Sequence, residues 1–461
     1  MNAGAGIGRA PSLLDLARAT LRRGQHVGAD LEVYVQSGRT VAVKVFDGQV
    51  ESISVAQPSG LGVRAAREGR VGYAFTADLT DTGLDAVLAA AAANVQAADP
   101  DPYAGLPVVA PGSYPSVRGL WRPGVAMMEL KDKVGLALTV EEAALACPHV
   151  DTVEESVYSD EESRIAICSS KGVEAEAEHS VCFVYAQAHA GQGNDRQSGL
   201  GYSVARDPQE LDAEAAGKEA GEKAAALIGA RPCATGTYTV VFGREVAAAL
   251  IAHVAQGLSA DAVQKGRSVF AGRVGETVGS PLLTLVDDGL APGGMASNPF
   301  DGEGVPHRRT VLLQSGRLQT YLHNSYTARK ESTPALSTGN AERGSYRTIP
   351  RVAASNLVLE PGTGSLEELV ERVGSGLYVE SAAGLHSGVN VISGEISVGV
   401  TGRLIEAGAL GAPVREVTIA TDFLSLLASV SDVGGDARWI PLYGSVCTPS
   451  LAVERVTVSG Q

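Results

Sequence analysis

The chain's 461 residues exceed the size at which one hydrophobic core stops growing, so two domains are expected, and 44% apolar with 19% charged residues excludes a disordered chain. A formal net charge of -15 opposes capture of nucleic acid, which rests on Lys and Arg displacing counterions, and no Lys/Arg run supplies a local exception. No apolar stretch approaches the ~20 residues that span a bilayer, and the start lacks a charged, apolar, then small signal pattern, so a cytoplasmic protein without membrane contact is expected.

From Leu13 to Arg23 the apolar positions Leu14, Ala17 and Leu21 recur three and four apart, the period of an amphipathic helix, with Ser12 placed to cap it. After Gly28 the segments DLEVYVQ and TVAVKVFDGQVESISV alternate apolar and polar residues as strands do, and the intervening SGR reads as a turn between them. GLGVRAAREGRVGYAFTAD repeats the pattern about a turn at Glu68 to Arg70, and an Ala-rich helix follows from Asp81 to Ala98. The Pro-rich stretch from Asp99 to Arg122 is a connector. A second unit places a helix from Met127 to Ala146, strands in VDTVEESVYSD, SRIAICSS and VEAEAEHSVCFVYAQAHA, and a helix from Pro208 to Ile228. The aperiodic ARPCATGTY then marks a boundary, giving an N-terminal α+β domain over 1–230 with antiparallel sheets flanked by helices.

From Tyr238 the texture changes to many short strands with Gly-containing turns and a few helices, at Arg244 to Leu258, Ser365 to Val373 and Asp422 to Ala428. Residues 231–461 therefore read as a mostly antiparallel β domain, a large sheet or barrel, and the whole chain as α+β. No GxSxG elbow supports a serine hydrolase. The GTGS before the helix at Leu366 lacks the Lys of a phosphate-binding loop, and its spacing from Ser365 to Glu368 is that of a capping box. The five cysteines include no CxxC pair, which favours reduced thiols.

Several segments, in order, carry a resemblance over nearly the whole chain. They are DGQVESISVAQPSGLGVRAAREGRVGYAFTADLT, FDGEGVPHRRTVLLQSGRLQTYLHNSYTARK, STGNAER, SNLVLEPGTGSLEELV, VGSGLYVESAAGLHSGVNVISGEISVGVTGRLIEAGALGAPV and TPSLAVERVTVSG. Together they are similar to the TldD/PmbA family of microcin-processing or gyrase-modulator peptidases. The resemblance implies a pair of related subunits, one with an HExxxH helix that binds zinc with a later cysteine, the other without it. Aligning GLSAD of this chain on the GLxGD that follows the motif puts Ile251 and Ala252 at the positions of the first His and the Glu, and Gln256 at that of the second His. A catalytic zinc needs three ligands of the His, Cys or carboxylate type, and Ile and Ala offer no lone pair. His253 lies two residues beyond the first ligand position, about 200° around an ideal helix, and is read as a packed or surface histidine. Cys447 falls where the relatives carry their cysteine ligand and is read as a buried thiol.

What the resemblance implies is a PmbA-like subunit with no catalytic residue, no metal and no cofactor of its own. Its expected partner is a TldD-like HExxxH subunit, which would supply the zinc in a heterodimer. The expected substrate is an extended peptide held by strand addition. The residues expected at the peptide are His323, Ser337, Thr338, Gly339, Asn340, His386 and Asn390, with STGNAER a polar surface run that borders one groove with GLHSGVN. The alternative is a stand-alone, zinc-independent enzyme of specialised metabolism from the same lineage.

Overall fold

The computed structural model describes residues 12–110, 112–333 and 335–461. Local chemistry sets the first element: the Ser12 hydroxyl accepts from the Asp15 backbone while the Asp15 carboxylate accepts from that of Ser12, so the helix Leu13–Arg23 begins with a closed capping box. It lies on a seven-stranded antiparallel sheet whose order is Arg70–Thr76, Ser59–Arg67, Asp30–Phe46, Val150–Ser169, Glu174–Ala190 and Gln197–Ala205, with Gln49–Ala56 paired to the outer half of the third. All seven strands belong to one sheet, in place of the separate sheets expected.

The SGR turn expected within DLEVYVQSGRTVAVKVF does not form. Ser37, Gly38 and Arg39 run through the middle of the 17-residue strand Asp30–Phe46. On one side this strand changes partner, pairing Ser59–Arg67 up to Ser37 and Gln49–Ala56 from Thr40. On its other side the register with Val150–Ser169 is unbroken from Glu32 to Val45, and this long neighbour keeps it extended. The true reversal is at Asp47 and Gly48, whose φ of 52° and 68° suit a tight hairpin.

Alternation divides the sheet's two faces. Val33, Val35, Val41, Val43 and Val45 turn one way and are buried beneath four helices, Leu13–Arg23, Asp81–Ala97, Leu130–Leu145 and Ala213–Ala226. Glu32 and Tyr34 turn the other way, toward the C-terminal half, where Tyr34 shares a core with Phe300 and Tyr346. In that half the strands Ala409–Asp422, Glu395–Glu406, Gly376–Ala383, Gly236–Phe242 and Leu451–Ser459 close into a barrel, because the first also pairs the last. A second, six-stranded sheet runs in the order Arg317–Leu318, Arg309–Gln314, Leu285–Asp288, Asn356–Leu359, Ser445–Thr448, Arg438–Ile440. The α+β class and the barrel-like C-terminal region thus agree with the sequence reading, as does the capping box at Ser365 and Glu368. Among the described residues no helix is long and apolar enough to cross a membrane.

A charge network joins the sheet to the C-terminal half. Arg64 donates to Glu32 at 2.5 Å and to Glu303 at 2.8 Å, and Arg343 closes on the other oxygen of Glu32, with all four side chains at most 8% exposed. Arg343 also stacks on Tyr34, 4.9 Å from its centroid. Removing one member of such a buried set strands its partners, so Glu32→Ala should lower stability by ~3–5 kcal/mol in denaturant unfolding. A loss below ~1 kcal/mol would show that water screens the seam.

Candidate functional site

The helix Arg244–Gly257, in which the sequence reading placed the motif positions, is lodged against the barrel strand Gly376–Ala383 and the strands Arg438–Ile440 and Ser445–Thr448 of the second sheet. Ile251 is 5% exposed and belongs to the main core. Ala252 and Gln256, with the largely buried Ala255, line a cavity of about 450 Å³ together with Ser259, Tyr443 and Ser355. The Nδ1 of His253 bonds the Ala249 carbonyl of its own helix at 2.7 Å, and His253 is absent from the lining. Cys447 follows the core residue Val446 on an alternating strand and so faces the opposite way, and burial pushes its thiol up from the ordinary value. Zinc does not fit this donor set: two of the three motif positions carry no lone pair, and no group of three or more His, Cys, Asp or Glu side chains converges among the described residues.

A second cavity, of about 600 Å³, shares Glu342, Ala354, Ser355, Gly444 and Ser445 with the first, so the two form one groove. Its lining is largely apolar, and one side of it comes from the last two strands of the N-terminal sheet. On Glu174–Ala190 the even residues Cys182, Val184 and Ala186 are buried under the helices, and Val181, Phe183 and Tyr185 therefore face the groove. The next strand contributes Leu200, Tyr202 and Val204 from one face. On its other face Gly199 and Gly201 admit the helix Ala213–Ala226 so closely that an added Cβ would stand 2.2 Å from the Ala220 carbonyl and 2.0 Å from that of Ala216. Leu442 and Tyr443, both partly exposed, complete the wall between the cavities.

The residues expected at the peptide separate into two groups. His323, Ser337, Thr338, Gly339 and Asn340 come together: the His323 carbonyl accepts from the Thr338 and Asn340 backbones and from the Ser337 and Thr338 hydroxyls. They are not a surface run. Asn340 is 2% exposed, and its amide donates to Asp287 at 2.7 Å and to the Ala353 carbonyl at 3.1 Å. Asp287 in turn accepts from the backbone and hydroxyl of Ser355 at 2.6 and 2.9 Å. This brace fixes the segment through Ala354 and Ser355 that walls the groove, so Asn340 stands behind the wall and not on it. His386 and Asn390 lie elsewhere, His386 in the short helix Leu385–Gly388 and Asn390 holding the turn to Ile392 and Ser393, and neither lines the groove. The common groove expected for the two segments is therefore not formed.

The sequence reading missed Phe183, Tyr185, Tyr202, Leu442 and Ser355. One signal was present. VCFVYA is apolar on both faces, which marks a strand covered twice, although it does not say by what.

Burial raises the Asp287 carboxyl to about 6, against the pull of its bonds from Asn340 and Ser355. Burial lowers the His323 imidazole from its ordinary value.

Profiles of three PmbA/TldA metallopeptidase domains match the chain in order: domain 1 over residues 31–98, the central domain over 125–228 and the C-terminal domain over 235–460. The chain is 28% identical to a protein named metalloprotease from Methanothermobacter thermautotrophicus, over 88% of both chains. It is 26% identical to the metalloprotease PmbA of Escherichia coli O157:H7, over 94% of this chain and 93% of that one. The crystal structure of TldE from Thermococcus kodakarensis shares the fold, with a TM-score of 0.89 at 22% identity over 96% of this chain and all of that one.

Two outcomes test the brace. Asn340→Ala should lower the unfolding free energy by about 2 kcal/mol, because Asp287 loses a buried donor, whereas an exposed polar residue would move it by less than ~0.5 kcal/mol. For pH, the folded Asp287 holds its proton up to about 6, while an unfolded aspartate releases it near 3.9. Between those values the folded state binds more protons, so stability falls as pH rises through the window and levels off above it. The Asp287→Asn variant should lose that slope in urea melts, and an unchanged slope would remove Asp287 as its source.

Proposed function

The chain belongs to the PmbA/TldD metallopeptidase family, and from that premise we propose that it is the non-catalytic, metal-free subunit of a heteromeric peptidase. Its part is to form one wall of a shared chamber and to hold an extended peptide for a TldD-like HExxxH partner in the cytoplasm. The observation that carries the reading is the motif helix: of the three motif positions, Ile251 is packed in the core while Ala252 and Gln256 face an open groove, and neither Ile nor Ala offers a lone pair to zinc. Zinc bound in the partner would supply the activated water and the polarisation of the scissile carbonyl. This chain's residues act on binding alone. Phe183, Tyr185, Tyr202 and Leu442 offer an apolar face for side chains of the substrate, and the groove excludes water from it.

Strand addition suits this site, because main-chain hydrogen bonds carry affinity and leave sequence selectivity loose. The strand Gln197–Ala205, which lines the groove, and the strand Arg438–Ile440, which packs on the motif helix, are edge strands of their sheets.

The test is purification alone and with an HExxxH relative. The chain alone should carry far less than one zinc per chain and cleave no peptide, and the mixture should cleave peptides until a chelator is added. Chelator-resistant cleavage by the chain alone would sink the proposal.

A further inference from the structure

Beyond the apolar cavity lies a third, of about 650 Å³, joined to it through Val204 and Met295, which line both. Its charged lining is Arg118, Arg122, Arg206 and Arg438 against one acid, Glu210. This excess of positive charge sits in a chain whose net charge is -15, so the general field of the protein does not account for it.

The pairing of these arginines matters more than their number. Arg206 spends its guanidinium on carbonyls: one terminal nitrogen donates to Leu120 and Ser180 at 3.1 and 3.3 Å, the other to Gly294 and Met295 at 2.8 and 3.1 Å. These bonds hold the fork in place without neutralising it. Among the described residues, no carboxylate pairs with Arg118, Arg122 or Arg206. Arg438 differs, lying 3.5 Å from Glu219 and stacked 4.9 Å from the Tyr202 centroid. Arg118 and Arg122 flank Gly119, whose φ of 74° turns the connector, and both are exposed. The cavity thus has a fixed cation at its base and two unpaired ones at its mouth.

Guanidinium forks match the two oxygens of a carboxylate, and those of Arg118 and Arg122 are free to do so, while Arg206, its terminal N–H groups already spent, adds a fixed positive charge behind them. We propose that this cavity binds a carboxylate of the extended peptide, its C-terminal group or an acidic side chain, while the preceding side chain fills the apolar cavity. The inference rests on the reading of the groove as a peptide site and adds the class of substrate: peptides that carry a carboxylate one residue or so beyond an apolar anchor.

The probes are three labelled peptides of one sequence, with a free C-terminus, with a C-terminal amide, and with the amide plus one internal glutamate. Fluorescence anisotropy with the full chain at fixed salt should show the free acid or the glutamate peptide binding about tenfold tighter than the plain amide. Which of the two binds tighter identifies the source of the carboxylate. In the Arg118→Gln, Arg122→Gln double variant, whose exposed side chains are not needed to hold the fold, the preference should shrink to about twofold or less. Equal affinity for all three peptides, no binding of any, or a preference that survives in the double variant overturns the site. The same peptides offered to the mixture with an HExxxH relative separate this inference from the previous one. Cleavage without discrimination overturns the carboxylate site and leaves the partner role intact, whereas selective binding with no cleavage overturns the partner role and leaves the site.

Discussion

Everything at the groove depends on the buried charge network that seats the sheet on the C-terminal half. Glu32 and Glu303 carry two negative charges, Arg64 and Arg343 two positive ones, so the set is neutral and each member has its partners within the seam. Such a set adds little net stability compared with an apolar core, because four ions have left water. What it supplies is register: Arg343 must meet Glu32 on one strand of the sheet while also donating to the Gly302 and Thr348 carbonyls. Gly60 and Gly62 make room on the same sheet, since a Cβ at Gly60 would lie 2.2 Å from the Tyr346 ring. These contacts together tie the two halves to one another at several points.

The groove inherits that placement through the chain itself. Glu342, which lines both cavities, directly precedes Arg343, and the Ala341 backbone donates to Asp301 at 3.0 Å. Burial and the neighbouring Glu303 push the Asp301 carboxyl above the ordinary aspartate value, against the pull of the backbone donors at Ala341, Glu303 and Val305. Behind the wall, Asn340 and Ser355 share Asp287 in the same manner. Polar groups are thus buried where the wall is fixed, and the half-buried rings of Phe183 and Tyr185 line the apolar cavity in front of it.

What the sequence made legible follows the reach of each signal. Capping at Ser12 and Ser365 involves residues three apart: the cap read at Ser12 forms, as a full box with Asp15, and so does the box read at Ser365. The SGR turn misled because a turn signal is local, whereas the strand through Ser37 is held by Val150–Ser169, more than a hundred residues away. STGNAER misled for a related reason. Polar residues favour solvent only when the fold offers no buried partners, and the partners of Asn340 lie at Asp287 and Ala353. The groove draws on the segments around 181–204, 342–355 and 441–446, and periodicity can mark their faces as apolar without saying that they meet.

On the proposed reading, exchange of the motif residues does more than remove a metal. Ile251 turns into the core, where a ligand at the same place would have carried a polar ring into an apolar cluster. The helix is thereby held by packing along that face and no longer needs an ion to complete it. On the groove side, Ala252 and Ala255 end at Cβ, and Gln256 is exposed, so the groove beside the helix remains open. Small residues on a firmly packed helix keep a cavity from collapsing, since the surrounding core cannot move in to fill it. On that reading the helix serves as a packed wall, with Ile251 anchored in the core and Ala252 and Gln256 turned to the groove.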